Sequence, residues 1–329
     1  MNSADSILII GGAGYIGSVA VETLINSGYQ VIVFDNLEKG HRDAVHPSAQ
    51  FIEGDLRDAA VVESVFSSNQ IQAVMHFGAY SLVGESMIDP DKYFSNNVAG
   101  GHILLNAMRD HEVGRIVFSS TAATYGQPKE SPINEESRTE PINPYGRSKL
   151  AFEFMLKSYE EAYGIKHAVL RYFNAAGASE AFGEDHDPET HIIPLTLQVA
   201  LGQREHIGIF GTDFDTPDGS CVRDYIHIRD LAEAHRLALE YIRDQSITCN
   251  LGNGLGFSVR EVIETCREVS GHPIPAVETD RRPGDPAQLT ALADRARKFL
   301  KWEPQIPELK DIVDSAWQWH KKHPDGYKA

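Results

Sequence analysis

The run ILIIGGAGYIG, residues 7–17, constrains this chain more than any other stretch. Its aliphatic start reads as a buried strand, and the glycines that follow end that strand abruptly. Gly12, Gly14 and Gly17 fit the spacing G-x-G-x-x-G, while Gly11, Gly14 and Gly17 fit the looser G-x-x-G-x-x-G. An apolar-faced helical pattern begins at once after them. Glycines so placed allow a tight turn and close backbone approach, so that helix N–H groups face a pyrophosphate. A glycine turn alone is common; the context here is specific. The next strand pattern, VIVFDN, closes on Asp35. An acid in that place accepts hydrogen bonds from a ribose hydroxyl and repels a 2′-phosphate, which favours NAD over NADP.

The rest of the first half repeats the same rhythm. ILII, QVIVFD, QFIEGD, AVMHFG, RIVFSS and HAVLRYFN read as strands, with helical segments between them, notably 92–111 and 144–163. That alternation predicts an α/β protein with a Rossmann-type, doubly wound parallel sheet. After Asn174 the rhythm loosens into ASEAFGEDHDPETH and, later, GTDFDTPDGS, both polar and loop-like. Helical patterns near 192–201, 229–243, 258–270 and 307–320 predict a smaller α/β C-terminal substrate lobe. The expected division is a nucleotide-binding domain over 1–175, carrying the 144–163 helix, and a substrate lobe over 176–329. Segments of the second part, about 220–255, are expected to return to the first.

Bulk properties exclude several partners. A net charge of −17 argues against a general nucleic-acid or anionic-membrane surface. No apolar run approaches the length of a membrane span, and a strand starting at Ile7 leaves no room for a signal peptide. Three scattered cysteines suit reduced thiols in a cytoplasmic protein better than a disulfide framework. His186 and His191, in HDPETH, are too loosely spaced for a recognisable ligand motif, so no metal is expected.

Chemistry points to two further strings. RIVFSSTAATYG carries Ser119, Ser120 and Thr121 to the carboxyl end of a strand, where open α/β sheets place ligands. NPYGRSKL, residues 143–150, sets Tyr145 and Lys149 one helical turn apart on one face, behind a proline suited to a first turn. A free phenol, with a pKa of about 10, is a poor base at neutral pH. Positive charge nearby favours the phenolate, and Lys149 is placed to supply it.

The glycine loop, the hydroxyl cluster and Y-x-x-x-K, in this order, resemble the extended short-chain dehydrogenase/reductase superfamily. The strings HFGAYSLVGES, NNVAG, SSTAATYG, PYGRSK, LRYFNAAGA, FGTDFDTPDGSCVRDYIH, NLGNG and RRPGD narrow the resemblance to its UDP-glucose 4-epimerase family. The resemblance implies an isomerase that interconverts UDP-galactose and UDP-glucose through a transient 4-keto sugar, using bound NAD. The chemistry is coherent: a sugar C4–H is not acidic, so inversion there needs a ketone, a hydride acceptor and a base for the O4 proton. By the same resemblance Tyr145 is the base, Lys149 its cationic neighbour, and Thr121 bridges sugar hydroxyl and phenol.

Carried over by position, Gly11, Gly14, Tyr15, Ile16, Gly17, Asp35, Asn36, Asp55, Leu56, Phe77, Ala79, Asn97, Tyr145, Lys149 and Phe173 are implied to line the cofactor. Thr121, Asn174, His191, Ile192, Ile209, Phe210, Arg223, Arg282, Asp285 and Leu289 are implied to meet the UDP-sugar. Arginine suits the diphosphate, because guanidinium matches phosphate geometry. The helices at 92–111 and 144–163 are implied to pair in a homodimer. Four positions depart from the pattern: Ile10 stands where many relatives carry threonine, Ser81 where some carry a lysine, His191 replaces an asparagine, and Leu289 stands between the tyrosine and the small residues of relatives. Leu289 leaves activity on UDP-N-acetylglucosamine open.

Other readings share the scaffold. A nucleotide-sugar 4,6-dehydratase needs an acid and a base just after the catalytic hydroxyl; Ala122 and Ala123 occupy those places and transfer no proton. A UDP-glucuronate decarboxylase lacks its acidic residue here. A non-catalytic NAD-binding sensor needs the glycine loop but not Thr121, Tyr145 and Lys149 together.

Overall fold

The computed structural model describes residues 5–128, 130–282 and 285–327. Seven strands form one parallel sheet: β1 Ser6–Ile10, β2 Gln30–Asp35, β3 Gln50–Glu53, β4 Ala73–His76, β5 Arg115–Thr121, β6 Lys166–Tyr172 and β11 Ile247–Leu251. Their spatial order is β11-β6-β5-β4-β1-β2-β3. The order reverses between β1 and β4, and such a switch point opens a crevice at the carboxyl ends of the strands.

Both faces of the sheet are covered, which is why its strands read as continuous apolar runs. Alternate residues of β1 serve the two sides. Ile7 and Ile9 pack with α1 (Tyr15–Asn26) and α8 (Ile228–Tyr241). Leu8 and Ile10 pack with α2 (Ala59–Ser68), α5 (Gly101–Asp110) and α6 (Pro144–Tyr163). The six strands read from sequence are present. β11 was not among those readings; Thr248 and Asn250 interrupt its apolar pattern, and the Asn250 amide answers to groups far away in sequence.

The helical segment expected at 92–111 is three connected pieces: α4 Pro90–Phe94, a π-helical turn Ser95–Gly100, and α5. The helix expected at 144–163 has those bounds. The Asn143 side chain accepts from Gly146 N at 2.8 Å, Pro144 sits at the first position, and Gly164 ends the helix at φ +74°.

Beyond β6 the chain builds a third apolar cluster from α7 (Ile192–Ala200), α9 (Val259–Ser270) and α10 (Leu309–Lys322). Short strands surround it. β7 (Asn174–Ala176) pairs with β10 (Tyr225–His227), and β8 (Ile207–Phe210) with β13 (Ala276–Thr279). β9 (Val222–Arg223) lies between β12 (Phe257–Ser258) and β14 (Gln288–Leu289). Among the described residues no helix is long and apolar enough to cross a membrane.

Candidate active site

The glycine loop folds so tightly that side chains have no room. Gly11 has φ +79°, and a Cβ there would stand 2.5 Å from Gly78 N; at Gly17 it would stand 2.1 Å from Gly11 O. Gly14 differs: a Cβ there would meet only Gly11 O, at 3.5 Å. Gly14 is the N-cap of α1 and offers no side chain to its first N–H groups. An open helix terminus beside a side-chain-free loop fits a pyrophosphate.

Asp35, at the end of β2, is buried and organises this loop. Its two oxygens accept from Ala13 N at 3.0 Å and Leu37 N at 2.9 Å. Burial pushes its pKa up, and those backbone donors oppose the shift. Each carboxylate oxygen keeps a lone pair, which fits a ribose with free hydroxyls. The donor set thus fits NAD. Asn36 donates to Asp55 at 3.2 Å, and Arg57 holds the Asp55 carboxyl well below the usual carboxylate range. Leu56 is buried beside them.

Phe77 and Gly78 bond back to Ile10 O, and Ala79 leads to Tyr80, whose N–H reaches the buried Asn97 side chain at 3.0 Å. The Tyr15 phenol donates to Gly177 O at 2.6 Å. Ile16 lies half-buried on α1, and Phe173 half-buried between β6 and β7. The expected cofactor residues therefore gather around α1 and the carboxyl ends of the sheet strands.

The catalytic candidates lie at the end of β5 and the start of α6. Tyr145 is 9% exposed and packs with Tyr80 and Tyr93. Burial raises its pKa, and the Thr121 hydroxyl works against that rise. Thr121 also accepts from Ala123 N at 3.1 Å. Lys149 is 4% exposed on the same helix. Its Nζ donates to Ser119 O at 2.9 Å and lies 4.8 Å from the centre of the Phe118 ring. Burial pushes the Lys149 ammonium down to about 7, against the favourable charge of Glu153.

Glu153 belongs to a buried network that sequence reasoning missed. Ser120 Oγ donates to its Oε1 at 2.6 Å, and Arg171 Nε donates there at 3.0 Å. Arg171 continues to the Tyr125 hydroxyl at 3.0 Å, and Tyr125 donates to Asn250 at 2.7 Å. The available signal was an arginine inside the apolar strand HAVLRYFN, because a buried charge demands a partner.

Asn174, His191, Ile192, Phe210, Arg223, Arg282 and Asp285 line one open cleft of about 190 Å³. Arg223 stands 3.6 Å from Asp285 and donates to Pro286 O at 3.0 Å. The Arg282 guanidinium lies 3.8 Å from the Phe210 ring centre. Ile209 and Leu289 are not among the lining residues. Ile209 is 4% exposed and packs in the third cluster, while Ile207, Gly208 and Phe210 of the same strand reach the cleft. Leu289 is half-buried on β14, in register with Arg223. His191 is exposed, and its Nδ1 faces Glu184 and Glu189.

Residues 7–252 match the NAD dependent epimerase/dehydratase family. The chain belongs to that family. It is 56% identical to a UDP-glucose 4-epimerase of Halalkalibacterium halodurans over 98% of both chains. A crystal structure of a UDP-glucose 4-epimerase superposes with a TM-score of 0.97 at 52% identity, covering 99% of this chain and all of that one. The UDP-glucose 4-epimerase of Bifidobacterium longum, solved in complex with NAD+ and UDP, gives 0.93 at 39% identity over 98% of this chain and 100% of its own. The family fits a fold whose glycine cradle, hydroxyl-ended strand and Tyr/Lys helix share one end of the sheet.

Proposed function

We propose that this chain is an NAD-dependent UDP-sugar 4-epimerase that interconverts UDP-galactose and UDP-glucose. The observation that carries the reading is that Thr121 and Tyr145 lie at the same end of the sheet as the glycine cradle, with an arginine-bearing cleft beyond. Gly11, Gly14, Gly17 and Asp35 would hold the cofactor by backbone N–H groups and one carboxylate. Bound there, NAD would supply a reversible hydride acceptor for the sugar's fourth carbon.

Tyr145 takes the O4 proton and returns it. The phenol is nearly closed to solvent, so the proton stays in the site. Thr121 steers the phenol and the sugar hydroxyl into one hydrogen-bonded line. Lys149 lies one turn along the same helix, where its charge favours an ionised phenol once the site is filled. Arg223 and Arg282 match a diphosphate, and each has a neighbour in the cleft, Asp285 for Arg223 and the Phe210 ring for Arg282. A 4,6-dehydratase needs proton-transfer groups where Ala122 and Ala123 stand.

A homodimer joined through α4 to α6 suits the apolar side chains exposed there, Phe94 and Phe154. A cytoplasmic setting suits the three free, buried cysteines.

The reaction is tested by incubating purified protein with UDP-galactose deuterated at C4, adding no NAD, and separating the nucleotide sugars. UDP-glucose retaining its deuterium is the expected product. A 4-keto-6-deoxy sugar, label washed into solvent, or no conversion even with NAD added overturns the reading. Sedimentation of a monomer at working concentration overturns the dimer.

A further inference from the structure

The segment between β7 and α7 carries a second constellation, set in the wall of the sugar cleft. Glu184, His186, Glu189 and His191 each bring one ligand atom to within 4.8 Å of the others. His186 Nδ1 stands 3.1 Å from Glu184 Oε1 and 3.7 Å from Glu189 Oε2. His191 Nδ1 stands 2.8 Å from that same Glu184 oxygen and 3.0 Å from Glu189 Oε1. Ligand atoms bound tetrahedrally at about 2.0–2.1 Å lie roughly 3.3 Å from one another, so these spacings are those of a coordination shell.

A second observation points the same way. Glu184 is only 5% exposed, and its Oε1 and the enclosed His186 Nδ1 have ion-pair contacts at 2.8–3.1 Å but no aligned hydrogen bond. They face each other at short range but out of hydrogen-bond alignment. Enclosed polar atoms normally find partners, and atoms that converge without one mark a place for an ion. Two ring nitrogens meeting one carboxylate oxygen form a poor hydrogen-bond network but a good donor set. Once an ion displaces the imidazole protons, two carboxylates balance the charge of one divalent cation.

We propose that Glu184, His186, Glu189 and His191 bind a divalent transition metal ion, zinc by its chemistry, in a closed structural centre. Two imidazoles disfavour magnesium and calcium, which take oxygen ligands, and the absence of thiolates disfavours copper(I). Four protein ligands complete a tetrahedron and leave no position for substrate.

The placement gives the ion its role. His186 packs edge-on against Tyr15, ring centres 5.9 Å apart, and Tyr15 opens α1 directly after the glycine loop. His191 is the N-cap residue of α7, and Ile192 to Leu195 of that helix line the cleft. An ion here fastens the wall of the sugar cleft to the helix that faces the cofactor. Glu184 and His191 also line the cleft, so the test reads the metal itself and does not use turnover.

Untagged full-length protein, purified without chelator, is expected to carry about one zinc per chain by elemental analysis. After stripping, cobalt(II) should give the visible bands of a tetrahedral site, which added zinc abolishes, and zinc should raise Tm. Glu184→Gln and His186→Ala should each weaken zinc by more than about 100-fold, since changes one shell further out already cost 10–100-fold. His272→Ala, on the surface elsewhere, should not. Wild-type protein that neither retains zinc nor gives the cobalt bands overturns the proposal, whatever the variants do. Unchanged zinc affinity in folded variants overturns it equally.

Discussion

Lys149 Nζ is hydrogen-bonded to the Ser119 carbonyl at 2.9 Å, although Tyr145 shares its helix face one turn earlier. A carbonyl oxygen is a weaker partner for an ammonium than a carboxylate, and both side chains are buried. Both groups are consequently shifted toward neutrality: burial lowers the Lys149 ammonium to about 7 and raises the Tyr145 phenol. Spacing alone suggested a lysine that ionises its neighbour. Burial instead works against charge on both groups.

The lysine has a measurable consequence for stability. Its folded pKa, about 7, lies below its ordinary 10.5. Between these values the unfolded chain binds more protons than the folded one, so stability rises with pH across that window. The penalty of burying the ammonium is fully present below pH 7 and is relieved as pH climbs toward 10.5. Cofactor-free Lys149→Met should therefore be more stable than wild type at pH 6, by at most about 5 kcal/mol, and the difference should close by pH 10. Urea denaturation at both pH values decides it; a difference independent of pH would show that Lys149 does not titrate in this range.

Tyr145→Phe removes only the hydroxyl. It should retain bound cofactor and fold normally while turnover falls by about 1,000-fold, within the range for losing a positioned acid–base group. Thr121→Val should cost about 100-fold, and Thr121→Ser should recover most of it by keeping the hydroxyl. If the serine variant is no better than the valine, Thr121 acts through its methyl group and shape. Spectroscopy on cofactor-free protein adds a check: the Tyr145 phenol should stay protonated beyond pH 10, as burial requires.

Much of this site was legible before the structure because its logic is local. The glycine spacing, Asp35 at a strand end and Tyr145 with Lys149 on one turn each follow from a few adjacent residues. The missing parts join residues that no periodicity links. Glu153 sits on α6, Arg171 on β6, Tyr125 beyond β5 and Asn250 on β11, yet they form one buried chain of hydrogen bonds. Ile209, implied only by the resemblance, lies buried in the third cluster. This network gives a prediction of its own. Glu153→Gln should destabilise by about 3–5 kcal/mol, because it leaves the Arg171 guanidinium buried without its counter-charge. The double variant Glu153→Gln, Arg171→Met should recover part of that loss. Thermal denaturation showing less than about 1 kcal/mol for the single variant would mean water reaches the pair.

Gly14 and Gly17 separate the two reasons a glycine is needed here. A Cβ on Gly17 would collide with the Gly11 carbonyl at 2.1 Å, so Gly17→Ala should distort the loop and lower stability with or without ligand. Gly14 has φ −84°, a conformation alanine adopts freely, and within the protein its Cβ would meet only one atom at ordinary contact distance. Gly14→Ala should therefore fold with stability within about 0.5 kcal/mol of wild type. Any loss of NAD affinity in that variant reports the approach of the ligand itself, and a drop of at least about 10-fold is expected, equivalent to about 1.4 kcal/mol. Fluorescence titration alongside thermal denaturation separates the two effects. Gly14→Ala binding NAD as wild type does would place the pyrophosphate away from the start of α1, and the phosphate-loop reading would fail with it.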